Sequence, residues 1–166
     1  MPPSNILILC TGNSARSILA EALVNRLGQG RWRAYSAGSH PKPAPNPFAL
    51  ELLRAEGFDV AGLRSKSWDE FAAPGAPVMD LIVTVCDGAA GEACPVWPGR
   101  PMTAHWGLPD PASAAGSDAD KRRAFRRAYA TLEARIRAFL DLDEHAMDAG
   151  ALRSAVDSIG AIDAAA

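Results

Sequence analysis

The sequence of 166 residues is poor in cysteine and contains no long hydrophobic run. Its three cysteines are too few for the disulfide framework of a small secreted protein. No apolar stretch reaches the length of a membrane span, and the N-terminal MPPSN is not the basic start of a signal peptide. We therefore expect a cytoplasmic protein without a membrane partner, in which the cysteines are buried thiols, metal ligands or redox groups.

The chain also lacks an excess of positive charge. Its formal net charge is −2 at pH 7, whereas a nucleic-acid-binding domain presents a basic face, so no nucleic-acid partner is expected. Apolar residues make up 48% of the chain, which is enough to bury the core of one globular domain. The three histidines are scattered and match no metal-ligand spacing with the cysteines, so no metal centre is predicted.

Strand-like and helix-like segments alternate along the chain. Short aliphatic runs predict four strands, and apolar residues at helical spacing predict the helices between them. We expect strands at 5–10, 31–37, 79–86 and 101–106, and helices at 17–27, 48–56 and 117–142 with a helical turn at 68–71. This pattern predicts an α/β fold with a doubly wound parallel sheet and helices on both faces.

The C-terminal tail differs from the rest in composition. Residues 144–166 are rich in alanine, and Leu152, Val156 and Ile159 recur at helical spacing. We expect one domain over residues 1–143, followed by an extension that is either helical or mobile.

A cysteine stands where the first predicted strand ends. Ligands of doubly wound sheets bind at this end of the strands, where the first loop opens into a helix. After Cys10 come five residues that are small or carry short polar groups: Thr11, Gly12, Asn13, Ser14 and Ala15. Such residues let the backbone curl until its N–H groups point inward, which forms an anion-binding nest at a helix N-terminus.

Three side chains of this loop have predicted chemical roles. Arg16 adds a two-pronged donor that suits a tetrahedral oxyanion. We expect these positive surroundings to lower the pKa of Cys10 below its usual value of about 8.5, which makes a thiolate nucleophile. Ser17 is expected to donate a hydrogen bond to the sulfur. The alternative is a buried cysteine that merely ends a strand.

The segment CTGNSARS resembles the C-x5-R-S signature of low-molecular-weight protein tyrosine phosphatases and of the arsenate reductases that share their fold. The similarity extends to about Leu142 and includes YSAGS and a DP segment. It implies the four-stranded fold of that family, with strand order 2-1-3-4, and nucleophilic attack of Cys10 on phosphorus or arsenic. It also implies that Asp110, in HWGLPDPA, protonates the leaving oxygen, although an Asp before Pro is also a common turn residue.

The other cysteines separate a reductase from a phosphatase. A phosphatase needs only Cys10, Arg16 and Asp110, because water hydrolyses its covalent intermediate. A reductase must supply two electrons, and thiols are the obvious donors in this chain. Cys86 ends the third strand, which lies beside the first in a doubly wound sheet, and Cys94 follows in a loop rich in Gly and Ala. Thiol–disulfide exchange from Cys10 to Cys86 to Cys94 then forms a relay.

This relay and the segment HWGLPDPA resemble the thioredoxin-coupled arsenate reductases. The resemblance implies that arsenate is reduced to arsenite for arsenic detoxification and that an external thiol partner reduces a Cys86–Cys94 disulfide. Ala112 stands where the phosphatases usually have an aromatic residue, which favours a small inorganic oxyanion. The gap between Cys86 and Cys94 is one residue longer than in those reductases, so thioredoxin and glutathione with glutaredoxin both stay open as reductants.

Two other functions remain open from the sequence. One is hydrolysis of phosphate monoesters through a Cys10 phosphocysteine, and a weak activity of this kind is also compatible with a reductase. The other is a non-catalytic module that binds an oxyanion or senses redox state, although such a module needs no general acid.

The resemblance also raises potassium as a cofactor. Some reductases of the family bind this ion near the loop through an Asn, a Glu, a Ser and an Asp. Asn13, Glu21 and Ser36 match three of these positions, but Trp68 stands at the fourth, with Asp69 one residue away. Potassium binding therefore stays open, and no other cofactor is predicted.

Overall fold

The computed structural model describes residues 2–86 and 97–163, which form a four-stranded parallel sheet flanked by helices on both faces. The strands are β1 (Ser4–Leu9), β2 (Trp32–Ala37), β3 (Leu81–Thr84) and β4 (Met102–His105). The helices are α1 (Arg16–Leu27), α2 (Pro47–Ala55), α3 (Asp69–Ala72), α4 (Asp118–Leu140) and α5 (Ala149–Ile159), with a 3-10 turn at Pro111–Ser113. The predicted fold class and the strand order 2-1-3-4 are confirmed.

Strand β1 occupies the centre of the sheet. It pairs in parallel with β2 on one side and with β3 on the other, and residues 6–9 are almost completely buried. An aliphatic run without alternation is typical of a strand that is covered on both faces. Strand β3 is shorter than predicted, since Val85 and Cys86 lie beyond its end, although the Val85 amide still donates to the Leu9 carbonyl at 2.9 Å.

The side chains of β2 show how both faces of the sheet are covered. Trp32 packs edge-on against Phe139 of α4, with ring centroids 4.9 Å apart. Tyr35 packs against Phe71 of α3, with centroids 5.4 Å apart. Because successive residues of a strand point to opposite faces, α4 and α3 lie on opposite sides of the sheet. Helix α1 contacts α4 and therefore shares its side.

Helix α4 has a well-defined start and an apolar inner face. The Ser117 hydroxyl accepts a hydrogen bond from the Asp120 amide, and the Asp120 carboxylate accepts one from the Ser117 amide, which is a capping box. Buried side chains recur three or four residues apart, as in Leu132, Ile136 and Phe139. The helix confirms the sequence prediction, although it ends at Leu140. No helix in the described ranges is long and apolar enough to cross a membrane.

The C-terminal tail forms helix α5, which packs against β4 and α4. The indole N–H of Trp106 donates to the Val156 carbonyl at 2.8 Å, and Val156 and Ile159 are buried. Gly160 lies so close to the end of β4 that a Cβ atom there would be 2.6 Å from the His105 carbonyl oxygen. Of the two predicted states of the tail, the structure has the helix, and the domain boundary at residue 143 stays a prediction.

Candidate active site

The loop of residues 10–16 joins β1 to α1 and is held by its carbonyl oxygens. They accept hydrogen bonds from amides of the proline-rich segment 40–46: Thr11 from His40 at 3.0 Å, Gly12 from Lys42 at 2.9 Å and Ser14 from Asn46 at 2.8 Å. A trans peptide points its N–H away from its C=O, so these bonds turn the following N–H groups toward the inside of the loop. Inward N–H groups at the start of a helix form an anion-binding nest.

Two residues determine the tight path of this loop. Asn13 has a φ of 43°, which an Asn tolerates, and its buried side chain donates to the hydroxyls of Ser17 and Ser36, both at 2.9 Å. The observed contact of Ser17 is thus with Asn13, and a donation from its hydroxyl to Cys10 stays a prediction. Gly38 follows β2, and a Cβ atom there would lie 2.4 Å from a carbonyl oxygen of the loop.

Cys10 and Cys86 lie side by side at the ends of β1 and β3. Their side chains are hydrogen-bonded to each other, and the Cys86 sulfur also accepts the Thr11 amide N–H at 3.2 Å. Both side chains are buried. The predicted proximity follows from the strand register, in which Leu9 pairs with Thr84. The third cysteine, Cys94, lies outside the described residues.

The predicted low pKa of Cys10 is wrong for this arrangement. The pKa of the Cys10 thiol is raised, first by the hydrogen bond with Cys86 and then by burial, which disfavours the charged form. The charge of Arg16 and the backbone N–H of Gly12 lower it but do not outweigh these two causes. The positive loop alone favours a thiolate, but the neighbouring sulfur and burial reverse this expectation.

Arg16 connects the Cys10 loop to the segment that carries Asp110. Its Nη1 donates to the Leu108 carbonyl at 2.8 Å, and its Nη2 is 3.8 Å from Asp110 Oδ2. Its Nε is buried and has no hydrogen-bond partner among the described residues. An unpaired buried donor is unfavourable, and an oxyanion is the acceptor that a guanidinium group binds best.

Asp110 begins the 3-10 turn Pro111–Ser113. Its Oδ1 accepts the Ala112 amide N–H at 2.9 Å, and its Oδ2 accepts the Ser113 hydroxyl at 3.1 Å. The side chain is 36% exposed and lies on the rim of the site, next to Arg16. Asp110 is therefore a turn-forming residue whose carboxyl group also remains accessible to a bound substrate.

These groups line one open pocket of about 740 Å³, which includes Thr11, Arg16, Cys86, Asp110, His105 and Gly160. The sulfur that lines this pocket is that of Cys86, whereas Cys10, its hydrogen-bonded neighbour, is buried beside it. Gly160 brings the end of α5 into the pocket wall. Sequence patterns do not predict this contribution, because a glycine after a helix signals only a helix end.

The residues considered for a potassium site are only partly brought together. Asn13, Glu21 and Ser36 form a buried hydrogen-bonded group, but Asp69 is exposed. The side chain that approaches Glu21 is Lys66, with its Nζ 3.7 Å from Glu21 Oε1. In the described part of the chain, no group of three or more His, Cys, Asp or Glu residues is arranged to hold a metal ion.

Comparison with known proteins agrees with this geometry. The profile of the low molecular weight phosphotyrosine protein phosphatases matches residues 5–150, and the chain belongs to that family. It is 37% identical to an arsenate reductase of Halalkalibacterium halodurans over 136 residues, which are 82% of this chain and 94% of that protein.

Solved structures show the same fold. An arsenate reductase from Archaeoglobus fulgidus superposes with a TM-score of 0.65 at 29% identity, over 82% of this chain and 99% of that one. A low molecular weight phosphotyrosine phosphatase from Vibrio cholerae superposes with a TM-score of 0.60 at 20% identity, over 78% of this chain and 90% of that one. Reductases and phosphatases thus share the fold, and side chains must distinguish them.

Proposed function

We propose that this protein is an arsenate reductase that converts arsenate to arsenite in the cytoplasm, with Cys10, Cys86 and Cys94 as the electron donors. The observation that carries the proposal is the hydrogen-bonded pair of Cys10 and Cys86 at the end of the sheet. A phosphatase uses one cysteine in this place, whereas a reductase needs a second thiol within reach of the first. Similarity to relatives that are arsenate reductases supports the same choice.

The first step is a substitution at arsenic. Arsenate binds to the inward N–H groups of Gly12, Asn13 and Ala15 and to the Arg16 guanidinium. The Cys10 sulfur, after loss of its proton, forms a bond to arsenic, and one arsenate oxygen leaves as water with a proton from Asp110. The product is a thioester of arsenic(V) on Cys10.

The second step transfers the electrons. The Cys86 sulfur attacks the Cys10 sulfur, so that an S–S bond forms while the S–As bond breaks and leaves its electron pair on arsenic. Arsenic departs as arsenite, and the two thiols are oxidised to a disulfide. Cys94 then attacks Cys86, which forms the Cys86–Cys94 disulfide and releases Cys10. A dithiol protein such as thioredoxin, or glutathione with glutaredoxin, reduces that disulfide and closes the cycle.

The decisive experiment compares two reactions of the same variants. Arsenate-dependent oxidation of NADPH is measured with thioredoxin and its reductase or with glutathione and glutaredoxin, and p-nitrophenyl phosphate hydrolysis is measured in parallel. Cys10→Ser should abolish both reactions. Cys86→Ser and Cys94→Ser should stop multiple turnovers with arsenate but retain the weak hydrolysis, because hydrolysis needs no second thiol.

Mass spectrometry of trypsin fragments identifies the disulfide that forms. After one turnover with arsenate, the unmodified chain should contain Cys86–Cys94, and the Cys94→Ser variant should contain Cys10–Cys86. Arsenite production with all thiols still free would assign the attack to external glutathione. Hydrolysis of phosphate monoesters without arsenite production would show that the protein is a phosphatase.

A further inference from the structure

A buried ion pair lies beneath the Cys10 loop. The Nζ of Lys66 is 3.7 Å from Glu21 Oε1, and these side chains are only 8% and 11% exposed. The ammonium group also donates to the Arg64 carbonyl at 2.9 Å. Burial disfavours both charges, because it lowers the pKa of Lys66 and raises that of Glu21, while each charge opposes the effect on the other. A lysine in such surroundings is uncommon unless its charge is paired.

This pair is connected to the loop by hydrogen bonds. The Ser36 hydroxyl donates to Glu21 Oε1 at 2.8 Å and accepts the Asn13 side-chain N–H at 2.9 Å. The Asn13 Oδ1 accepts the backbone N–H of Lys66 at 2.9 Å. Lys66 therefore contacts the network at two points: its backbone fixes Asn13, and its side chain neutralises Glu21.

The residues present do not fit a potassium ion. An ion at this place would take oxygen ligands, but the Asn13 oxygen is occupied by the Lys66 amide, and Glu21 faces an ammonium group. Asp69, the remaining candidate ligand, is exposed on α3. A cation beside Glu21 would also be repelled by the charge of Lys66.

We propose that the Lys66 ammonium group takes the place of a monovalent cation, so that the chain itself neutralises Glu21 and holds Asn13 in the conformation that the Cys10 loop requires. Lys66 is a positioning residue, since it acts on the loop through Asn13, Ser36 and Glu21. The loop is then complete without a bound ion.

The test measures how the protein responds to the cation in solution. The unfolding midpoint and the affinity for inorganic phosphate are measured in KCl, NaCl and choline chloride at equal ionic strength. The unmodified protein should give the same values in all three salts. Lys66→Gln should have a lower midpoint and about 10-fold weaker phosphate binding in choline chloride, the order of loss expected when support for a binding site is removed. KCl should restore both the midpoint and the phosphate affinity. In this variant the unpaired Glu21 carboxylate and the new amide oxygen at position 66 are both available to bind the potassium ion.

Two controls separate this proposal from a general loss of stability. Lys121→Gln removes a lysine of α4 whose charge is not among those that act on Glu21, and it should show no response to KCl. The double variant Glu21→Gln, Lys66→Gln has no charge to neutralise and should also lose the response. If Lys66→Gln does not fold in choline chloride, recovery of folded protein on addition of KCl is the same response.

Two results would overturn the proposal. One is an unmodified protein that is stabilised by KCl more than by choline chloride. The other is a Lys66→Gln variant that is unaffected, or that is impaired but rescued no better by KCl than by choline. Neither readout depends on arsenate reduction, so the proposed function and this inference fail separately.

Discussion

The backbone amide of Thr11 donates a hydrogen bond to the sulfur of Cys86 at 3.2 Å. This bond ties the end of β3 to the nucleophile loop and holds the Cys86 sulfur beside that of Cys10. Two consequences follow for Cys10. The pKa of its thiol is raised while Cys86 is in place. The sulfur with which it is proposed to form a disulfide already lies beside it.

The first prediction concerns the acidity of Cys10. Cys86→Ala removes the hydrogen bond that contributes most to the raised pKa of Cys10 and leaves the charge of Arg16 and the Gly12 N–H, which both lower it. The pKa of Cys10 should therefore fall, and its reaction with iodoacetamide should become half-maximal at a lower pH. Mass spectrometry of the Cys10 peptide measures this rate separately from those of the other thiols.

Cys94→Ser is the matched control, because it removes another thiol of the proposed relay and leaves the hydrogen bond between Cys86 and Cys10 in place. It should leave the alkylation profile of Cys10 where it is in the unmodified protein. A Cys10 profile that is the same with and without Cys86 would show that Arg16 and burial alone determine the acidity.

The second prediction concerns the acid. Asp110→Asn keeps an oxygen that accepts the Ala112 amide but removes the proton donor, so the first covalent step should slow by about 10²–10⁴-fold. Phosphate affinity should change little. Ser113→Ala is the control, because it removes the hydroxyl that donates to Asp110 Oδ2 and leaves the carboxyl group. Single-turnover measurements with arsenate compare the two variants. Normal turnover in Asp110→Asn would show that Asp110 only forms the turn.

The third prediction concerns the Arg16 guanidinium group, which donates to the Leu108 carbonyl, lies beside Asp110 and is proposed to bind the anion. Arg16→Lys keeps a positive charge but loses the planar donors that reach Leu108 and the anion. Turnover should fall by about two orders of magnitude, the usual loss for a preorganised oxyanion donor. Arg64→Lys is the control, since Arg64 also forms a two-pronged pair, but with the exposed Glu70 on the surface. Equal effects of both changes on turnover would contradict the special role of Arg16.

Local patterns in the sequence predict those parts of the site that lie in one short segment. The Cys10 loop, the helix that follows it and the Asp110 turn are each readable from a few consecutive residues. The position of Cys86 also follows, because the order of strands in a doubly wound sheet is constrained. What the sequence could not supply is the effect of Cys86 on Cys10, which depends on the contact of two sulfurs from different strands.

Other contributions depend on contacts between distant segments. Lys66 stands between two serines in a stretch without periodicity, so nothing local indicates that it is buried against Glu21. Gly38 was visible within YSAGS, but its close approach to the loop appears only when β2 is placed beside β1. Arg135 has the spacing of an inner position on α4, where an arginine is unexpected unless backbone oxygens surround it.

The last prediction concerns Arg135, which holds the Asp110 segment and the C-terminal extension together. Its side chain is 2% exposed and donates to the carbonyls of Ile162 at 2.8 Å, Trp106 at 2.7 Å and Gly107 at 3.2 Å. Arg135→Met fills similar space but leaves these oxygens without a donor, and the free energy of unfolding should fall by about 3 kcal/mol. Urea unfolding measures the change.

Arg137→Met is its control on the same helix, because Arg137 pairs at the surface with Glu133 among the described residues, and its loss should cost less than about 1 kcal/mol. Since the Arg135 contact with Ile162 lies just beyond α5, trypsin should also cleave Arg153 faster in Arg135→Met than in Arg137→Met. Equal urea midpoints for the two variants would show that the buried guanidinium is dispensable. Equal cleavage rates with unequal midpoints would show that Arg135 stabilises the Trp106–Gly107 segment and that the packing of α5 against β4 and α4, with the Trp106 bond to Val156, holds α5 without it.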